Sequence, residues 1–222
     1  AVGRRIAEAL MRAVQRGVSV YLLLDGFGSQ NLSQQIIHNL LNSGIKVLIF
    51  RPEFIFSMPR RHRLRRMHRK LTVIDAQTAF IGGINIIDDR HNPEHLLPRF
   101  DYAIVIQGPL LATIHKAAKH LWMIVAWAHL KKRWTNRTNI KPTEKPAGNQ
   151  KAALVIRDNW RHRHDIEHAY LDAINQAKSE IIIANAYFLP GRKFSHALKN
   201  AARRGVRVEL LLQGRIEYFL QH

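Results

Sequence analysis

His68-Arg69-Lys70-Leu71-Thr72-Val73-Ile74-Asp75, closed seven residues on by Gly82-Gly83-Ile84-Asn85, is the stretch on which the reading of this chain turns. Leu71, Val73 and Ile74 stand among β-formers and predict a strand from Lys70 to Asp75. Residues i and i+2 of a strand share a face, so His68 and Lys70 point the same way. Asp75-Ala76-Gln77-Thr78 predicts a turn, and Ala79-Phe80-Ile81 a return strand that brings Gly82, Gly83 and Asn85 nearby. The result is an imidazole, an ammonium, two backbone amides without side chains and a carboxamide in one small volume. That inventory suits a phosphodiester, which needs a nucleophile, a cation and neutral donors for its non-bridging oxygens.

The spacing H-x-K-x4-D-x6-G-G-x-N resembles the HKD signature of the phospholipase D superfamily. Where the common family form has Gly-Ser, this chain has Gly82-Gly83, a form similar to the bacterial cardiolipin synthase branch. The resemblance implies a catalytic set of His68, Lys70, Asp75 and Asp101. It implies phosphate binding by Lys70, Gly82, Gly83 and Asn85, and neither metal nor other cofactor. Asp101 enters because the family has a carboxylate opening the strand before Gly108-Pro109, where it orients the nucleophilic histidine. A carboxylate on the Nδ1–H fixes the tautomer, leaves Nε2 free to attack and stabilises a cationic ring.

The charge balance narrows the partner. With 35 Lys and Arg against 16 Asp and Glu, the chain carries +19 and a pI near 11.1. Nucleic acid, an acidic membrane surface and phosphorylated substrates all fit that field. At 222 residues and 46% hydrophobic composition the chain has room for one large or two small cores. It has no cysteine, which suits a reducing compartment, and its first residues predict a helix directly, so no signal peptide is expected there.

In chain order, Ile6, Ala9, Leu10, Ala13 and Val14 predict a helix ended by Gly17. Val18 to Leu24 reads as a strand buried on both faces, with Asp25-Gly26-Phe27-Gly28-Ser29 as the loop at its carboxyl end. A second helix carries Leu32, Ile36, Leu40 and Leu41, and Lys46 to Phe50 is another strand. This α-β-α-β order predicts an α/β fold, a mixed sheet flanked by helices. Arg60-Arg61-His62-Arg63-Leu64-Arg65-Arg66 reads as a solvated basic loop that also forms a collar for phosphate. Tyr102 to Gln107 predicts a strand, and Pro109 opens a helix. Its apolar end, Leu121 to Leu130, is about half the roughly twenty residues a membrane span needs. Trp122, Trp127 and Trp134 beside lysines suit either a packed core or an interfacial helix. Beyond a polar, proline-broken linker, Ala152 to Arg157 and Glu180 to Ala186 predict strands around a helix. His164 and His168 stand at i, i+4 on that helix's polar side. Tyr187-Phe188-Leu189-Pro190 turns out of the last strand, with a lining role implied by the resemblance.

The end of the chain repeats its beginning. Gly3–Gly26 aligns without gaps on Gly191–Gly214, and thirteen of 24 positions are identical. A duplicated α/β unit explains this, and it agrees with the two-lobed phospholipase D-like fold. We therefore expect a first lobe over 1–134, a linker over 135–150 and an incomplete second lobe over 151–222. H-x-K-x4-D occurs once in the 222 residues, and the resemblance implies that a second HKD half is required for a complete site.

The activity the resemblance implies is phosphatidyl transfer through a phosphohistidine, with an anionic phospholipid as substrate. Its implied place is the cytoplasmic face of the bacterial inner membrane, held peripherally, with no nucleic acid partner. Two alternatives stay open: a single-motif nuclease acting as a homodimer, and a non-catalytic basic membrane-surface module.

Overall fold

The computed structural model describes residues 2–51, 66–87, 100–135, 140–158, 162–186 and 188–213. The chain divides into two compact units, Ala1–Ala152 and Ala153–His222. The expectations for Arg60 to Arg65, the polar loop at 88–99 and Tyr187 lie outside the described residues.

The first unit begins α1 (Val2–Gln15), β1 (Tyr21–Asp25), α2 (Gln34–Asn42), β2 (Lys46–Phe50). The two strands are parallel, in register from Tyr21↔Lys46 to Asp25↔Phe50. Alternation along them feeds two separate cores. Leu22, Leu24 and Val47 pack with Ala7 of α1 and Leu40 of α2. Leu23, Leu48 and Phe50 pack with Val125 and Ala126 of α3 (Leu110–Ala128). The continuous apolar runs of β1 and β2 are thus accounted for by helices on both faces. Trp122 and Trp134 belong to the α3 core: their rings stack at 6.4 Å, and the Trp122 indole N–H donates to the Trp134 carbonyl at 3.0 Å.

A second sheet is antiparallel, in the order β3 (Lys70–Ile74), β4 (Thr78–Gly82), β5 (Ala103–Ile106). Asp75 and Ala76 take positive φ, 50° and 51°, and the Gln77 N–H donates to the Ile74 carbonyl at 3.0 Å. Two left-handed residues in a tight turn match the twist of a hairpin, and aspartate tolerates that conformation. Leu71, Val73, Ala79, Ile81 and Ile106 share the inner face, with Ala79 fully buried. Lys70, Thr72, Phe80 and Val105 share the other.

The polar stretch expected as a linker is tied to this unit. The Thr143 N–H donates to the Ala76 carbonyl at 3.1 Å, and Gly108, at φ 96°, lies against Ala147. The division between units falls after Ala152. Ala152 to Arg157, expected as a strand, joins no ladder among the described residues. Its β-branched run satisfies local propensity, but a strand is made by a neighbour's backbone, which propensity does not supply.

The second unit contains α4 (Asp165–Gln176), β6 (Glu180–Asn185), α5 (Arg192–Arg203) and β7 (Arg207–Leu212). Its strands are parallel, and its core is Ile174, Ala197, Leu198, Ala201 and Val206. Arg204 closes α4 by donating to the carbonyls of Ile174 and Asn175 at 3.0 and 3.1 Å, which satisfies acceptors a helix leaves open at its C-terminus.

The sequence repeat reappears as backbone geometry. Gly17 and Gly205, equivalent in the alignment, take φ 86° and 88°. The N–H of Val18 donates to the Ala13 carbonyl at 3.1 Å, and that of Val206 to the Ala201 carbonyl at 3.1 Å. Both helices therefore end on a left-handed glycine with the same closing bond, and both lead into a parallel strand. The fold is α/β, with sheets flanked by helices. Its parallel and antiparallel pairings lie in three separate ladders among the described residues, not in one continuous mixed sheet.

Candidate active site

The site is built at one end of the three-stranded sheet, where β3 begins, β4 ends and β5 begins. Lys70 opens β3 and is paired across the ladder with Gly82, the last residue of β4. Gly82 is paired in turn with Ala103, the first residue of β5. His68 lies two residues before this row, Asn85 three residues after it, and Asp101 two residues before Ala103. Topology thus brings His68, Lys70, Gly82, Gly83, Asn85 and Asp101 to one edge. Asp75 is not with them. It occupies the hairpin turn at the other end of β3, five residues from Lys70, roughly 17 Å along the strand. Its visible task is the turn.

His68 is exposed, and among the described residues its ring has no hydrogen-bond partner. Lys70 is half-buried, and its ammonium donates to the His68 carbonyl at 3.2 Å. The Asp101 carboxylate accepts from the Tyr102 N–H at 2.9 Å and lies against Gly83; it forms no hydrogen bond to His68. Asn85 is exposed at the open end of the hairpin.

The paired glycines have a steric reason. A Cβ on Gly82 would overlap the Tyr102 carbonyl oxygen and the backbone of Ala103. A Cβ on Gly83 would overlap the Asp101 carboxylate. The Gly83 N–H donates to the Tyr102 carbonyl at 2.8 Å, so the same residue that admits the carboxylate also fixes the start of β5. Gly82 and Gly83 let the approach to β5 run close beside β4, and that closeness sets Asp101 at the site's edge.

One residue that holds the segment before His68 escaped the sequence reading. Asp25, at the carboxyl end of β1, accepts from the Met67 N–H at 2.7 Å through Oδ1 and from the Gly28 N–H at 2.9 Å through Oδ2. Next to it, the Phe27 ring lies under the Arg66 guanidinium, 3.5 Å from ring centroid to charge. The loop after β1 therefore holds the two residues preceding His68, one by backbone and one by side chain. The available signal was position: loops at the carboxyl ends of parallel strands are where α/β folds assemble their sites. Asp25→Ala strips both acceptors and is expected to cost about 1–3 kcal/mol of stability, the scale of charge-assisted hydrogen bonds. Asp25→Asn keeps one oxygen and is expected to recover about half. Urea denaturation of the two variants checks the ordering.

The histidines expected on a polar helix face belong to the second unit. His164 accepts or donates at Nδ1 with Glu167 at 3.1 Å, and its ring centroid lies 6.1 Å from that of His168. Among the described residues no group of His, Asp and Glu is placed to hold a metal ion.

Comparison with known proteins gives a consistent set of relatives. A family model described as cardiolipin synthase, PLD-like domain matches residues 2–125 and 170–220. Cardiolipin synthase B of Escherichia coli (strain K12) is 41% identical over 214 residues, 96% of this chain and 51% of that protein. The major cardiolipin synthase ClsA of Bacillus subtilis (strain 168) is 28% identical over 221 residues, 98% of this chain and 44% of that protein. Among solved structures, phosphatidylserine synthase of Haemophilus influenzae Rd KW20 aligns with a TM-score of 0.49 at 12% identity. That alignment covers 94% of this chain and 59% of the other. The chain spans about half the length of the curated relatives it matches.

Proposed function

Because the chain belongs to the cardiolipin synthase, PLD-like family, we propose that it carries the nucleophilic half of a phosphatidyltransferase. The observation that carries this reading is the convergence of His68, Lys70, Gly82, Gly83 and Asn85 on one sheet edge. His68 Nε2 attacks the phosphorus of an anionic phospholipid, and the P–N bond forms as the bond to the first alcohol breaks. A second lipid alcohol, giving its proton to a second histidine from outside these 222 residues, then attacks the phosphohistidine and takes the phosphatidyl group, returning a neutral ring. Lys70 and Asn85 hold the non-bridging oxygens while negative charge builds on them; the Gly83 N–H, expected to join them, is committed to the Tyr102 carbonyl, so Gly82 and Gly83 serve by leaving room for the phosphate. Asp101, once its carboxylate turns from the Tyr102 N–H, orients the ring and stabilises its cation.

A leaving alkoxide needs a proton, and a second histidine and lysine from outside these 222 residues complete the site. This accords with the chain's share of its relatives' length. The lobes at 1–134 and 151–222, joined through 135–150, are part of the same proposal, as is a peripheral seat on the cytoplasmic side of an anionic bilayer. Among the described residues no helix is long and apolar enough to cross a membrane.

At the full length of its relatives, the protein is expected to convert phosphatidylglycerol to cardiolipin, seen by lipid chromatography. The 222-residue chain is expected to turn over at least 10²-fold less, the scale of a missing general acid. A DNA-cleavage gel run beside the chromatogram decides between classes. Cleavage by the 222-residue chain, with no lipid product at full length, would replace the lipid reading by a dimeric nuclease.

A further inference from the structure

The C-terminal end of α3 leaves an apolar stripe facing solvent. Met123, Ile124, Trp127 and Leu130 form it, on the helix face that Lys116 and His120 occupy one to two turns earlier. Ile124, Trp127 and Leu130 are 51%, 68% and 84% exposed. On the opposite side of the same turns, Val125 and Ala126 are buried against Leu48 and Phe50 of β2. The stripe is therefore held rigidly, by a core it does not join. A shallow concavity at its tip is lined by Leu130, Lys131, Arg133 and Trp134. Lys131 sits there with its ammonium 4.0 Å from the Trp134 ring centroid, and Trp134 is itself fixed by stacking on Trp122. Arg133 is exposed beside it.

We propose that this tip, Ile124, Trp127 and Leu130 flanked by Lys131 and Arg133, docks the first unit on an anionic lipid bilayer. The proposal deepens the membrane reading given above and rests on it for the choice of lipid. Charge and shape argue for this occupant. A second copy of a chain carrying +19 would bring like charges against Lys131 and Arg133. A nucleic acid backbone would satisfy the cations but leave Ile124, Trp127 and Leu130 in water. A bilayer interface satisfies both sets: phosphates meet the lysine and arginine, and the acyl boundary takes the apolar side chains. Tryptophan suits that depth because its ring is apolar and its N–H wet. About two turns of exposed apolar helix is too short to span, so the contact stays in the interface.

The test uses vesicle co-sedimentation of the 222-residue chain. Phosphatidylglycerol–phosphatidylcholine vesicles are expected to bind it, and pure phosphatidylcholine vesicles to bind it far less. Trp127→Ala with Leu130→Asn removes the apolar tip and is expected to weaken binding about tenfold or more. Leu130 has φ 55°, a conformation asparagine adopts more readily than leucine, so the fold is retained, as circular dichroism will show. Lys131→Gln and Arg133→Gln are each expected to weaken binding about fivefold, on the anionic vesicles only. Brominated lipid is expected to quench the protein's tryptophan emission, and Trp127→Phe to keep binding while losing most of the quench. Unchanged binding by the Trp127→Ala, Leu130→Asn variant, or a quench unchanged in Trp127→Phe, overturns the proposal. So does lipid-free self-association that the double variant abolishes. Because the readout is binding without turnover, it stands or falls separately from the catalytic reading.

Discussion

A full-length protein carrying His68→Ala is expected to form no cardiolipin and no phosphoenzyme. The argument is chemical and positional together. The ring stands exposed at the sheet edge, without a described partner to hold it. Its backbone is set from both sides: Met67 is bonded to Asp25, and Lys70 is the first rung of the β3–β4 ladder. Of the other side chains in that row, Lys70 is proposed as the phosphate clamp and donates to the His68 carbonyl, and Asn85 carries only a carboxamide. Removing the imidazole therefore removes the atom proposed to take the phosphatidyl group. Lys70→Ala is expected to leave the nucleophile but cost about 3–4 kcal/mol in transition-state stabilisation, as losing one preorganised donor does. Quenched reactions with phosphorus-labelled phosphatidylglycerol measure both: acid-labile label on the protein in Lys70→Ala, none in His68→Ala. Label retained by His68→Ala would remove His68 from the nucleophile's place.

What the sequence revealed of this site, and what it hid, follow from the range of the forces involved. Strand β3 was legible because Leu71, Val73 and Ile74 stand among β-formers, and its partner because a tight turn leaves the chain little choice. The nearness of Gly82 to Lys70 followed from that turn; their pairing in the ladder is what the structure adds. Asp25 was not legible. Its hydrogen bond to Met67 joins residues 42 apart, and nothing in the local pattern of a Gly-containing loop distinguishes a positioning carboxylate from a turn. The three tryptophans near the end of α3 show the same division. Composition treated them alike, yet Trp122 and Trp134 stack in a core while Trp127 faces outward. Only the rotation of the helix against β2 separates them, and that is a tertiary fact. The grouping of strands into separate ladders was hidden for the same reason, since it is decided by backbone partners distant in sequence.

Gly82 and Gly83 are expected to answer differently to the same methyl group. At Gly82 the added Cβ meets backbone, the Tyr102 carbonyl oxygen and Ala103. Backbone in a ladder moves only by spreading the strands, and Gly82 is paired on its other side with Lys70, so the strain enters both ladders at once. Gly82→Ala should therefore destabilise the fold by about 1–3 kcal/mol, the range for an overpacked interior, with a lowered urea midpoint in the 222-residue chain. At Gly83 the Cβ meets the Asp101 carboxylate, the end of a side chain that can rotate away. Gly83→Ala should leave the midpoint within about 0.5 kcal/mol, as substitutions without backbone conflict commonly do. Its cost should appear in turnover instead, because the displaced carboxylate is the group proposed to orient His68. Measured in the full-length protein, that loss should fall on kcat with little change in KM, since ring orientation matters to the attack and not to lipid binding. Equal loss of stability in the two variants would show that Asp101 is as fixed as the strand beside it. Unchanged kcat in a well-folded Gly83→Ala would take Asp101 out of the catalytic set and leave His68 and Lys70 standing.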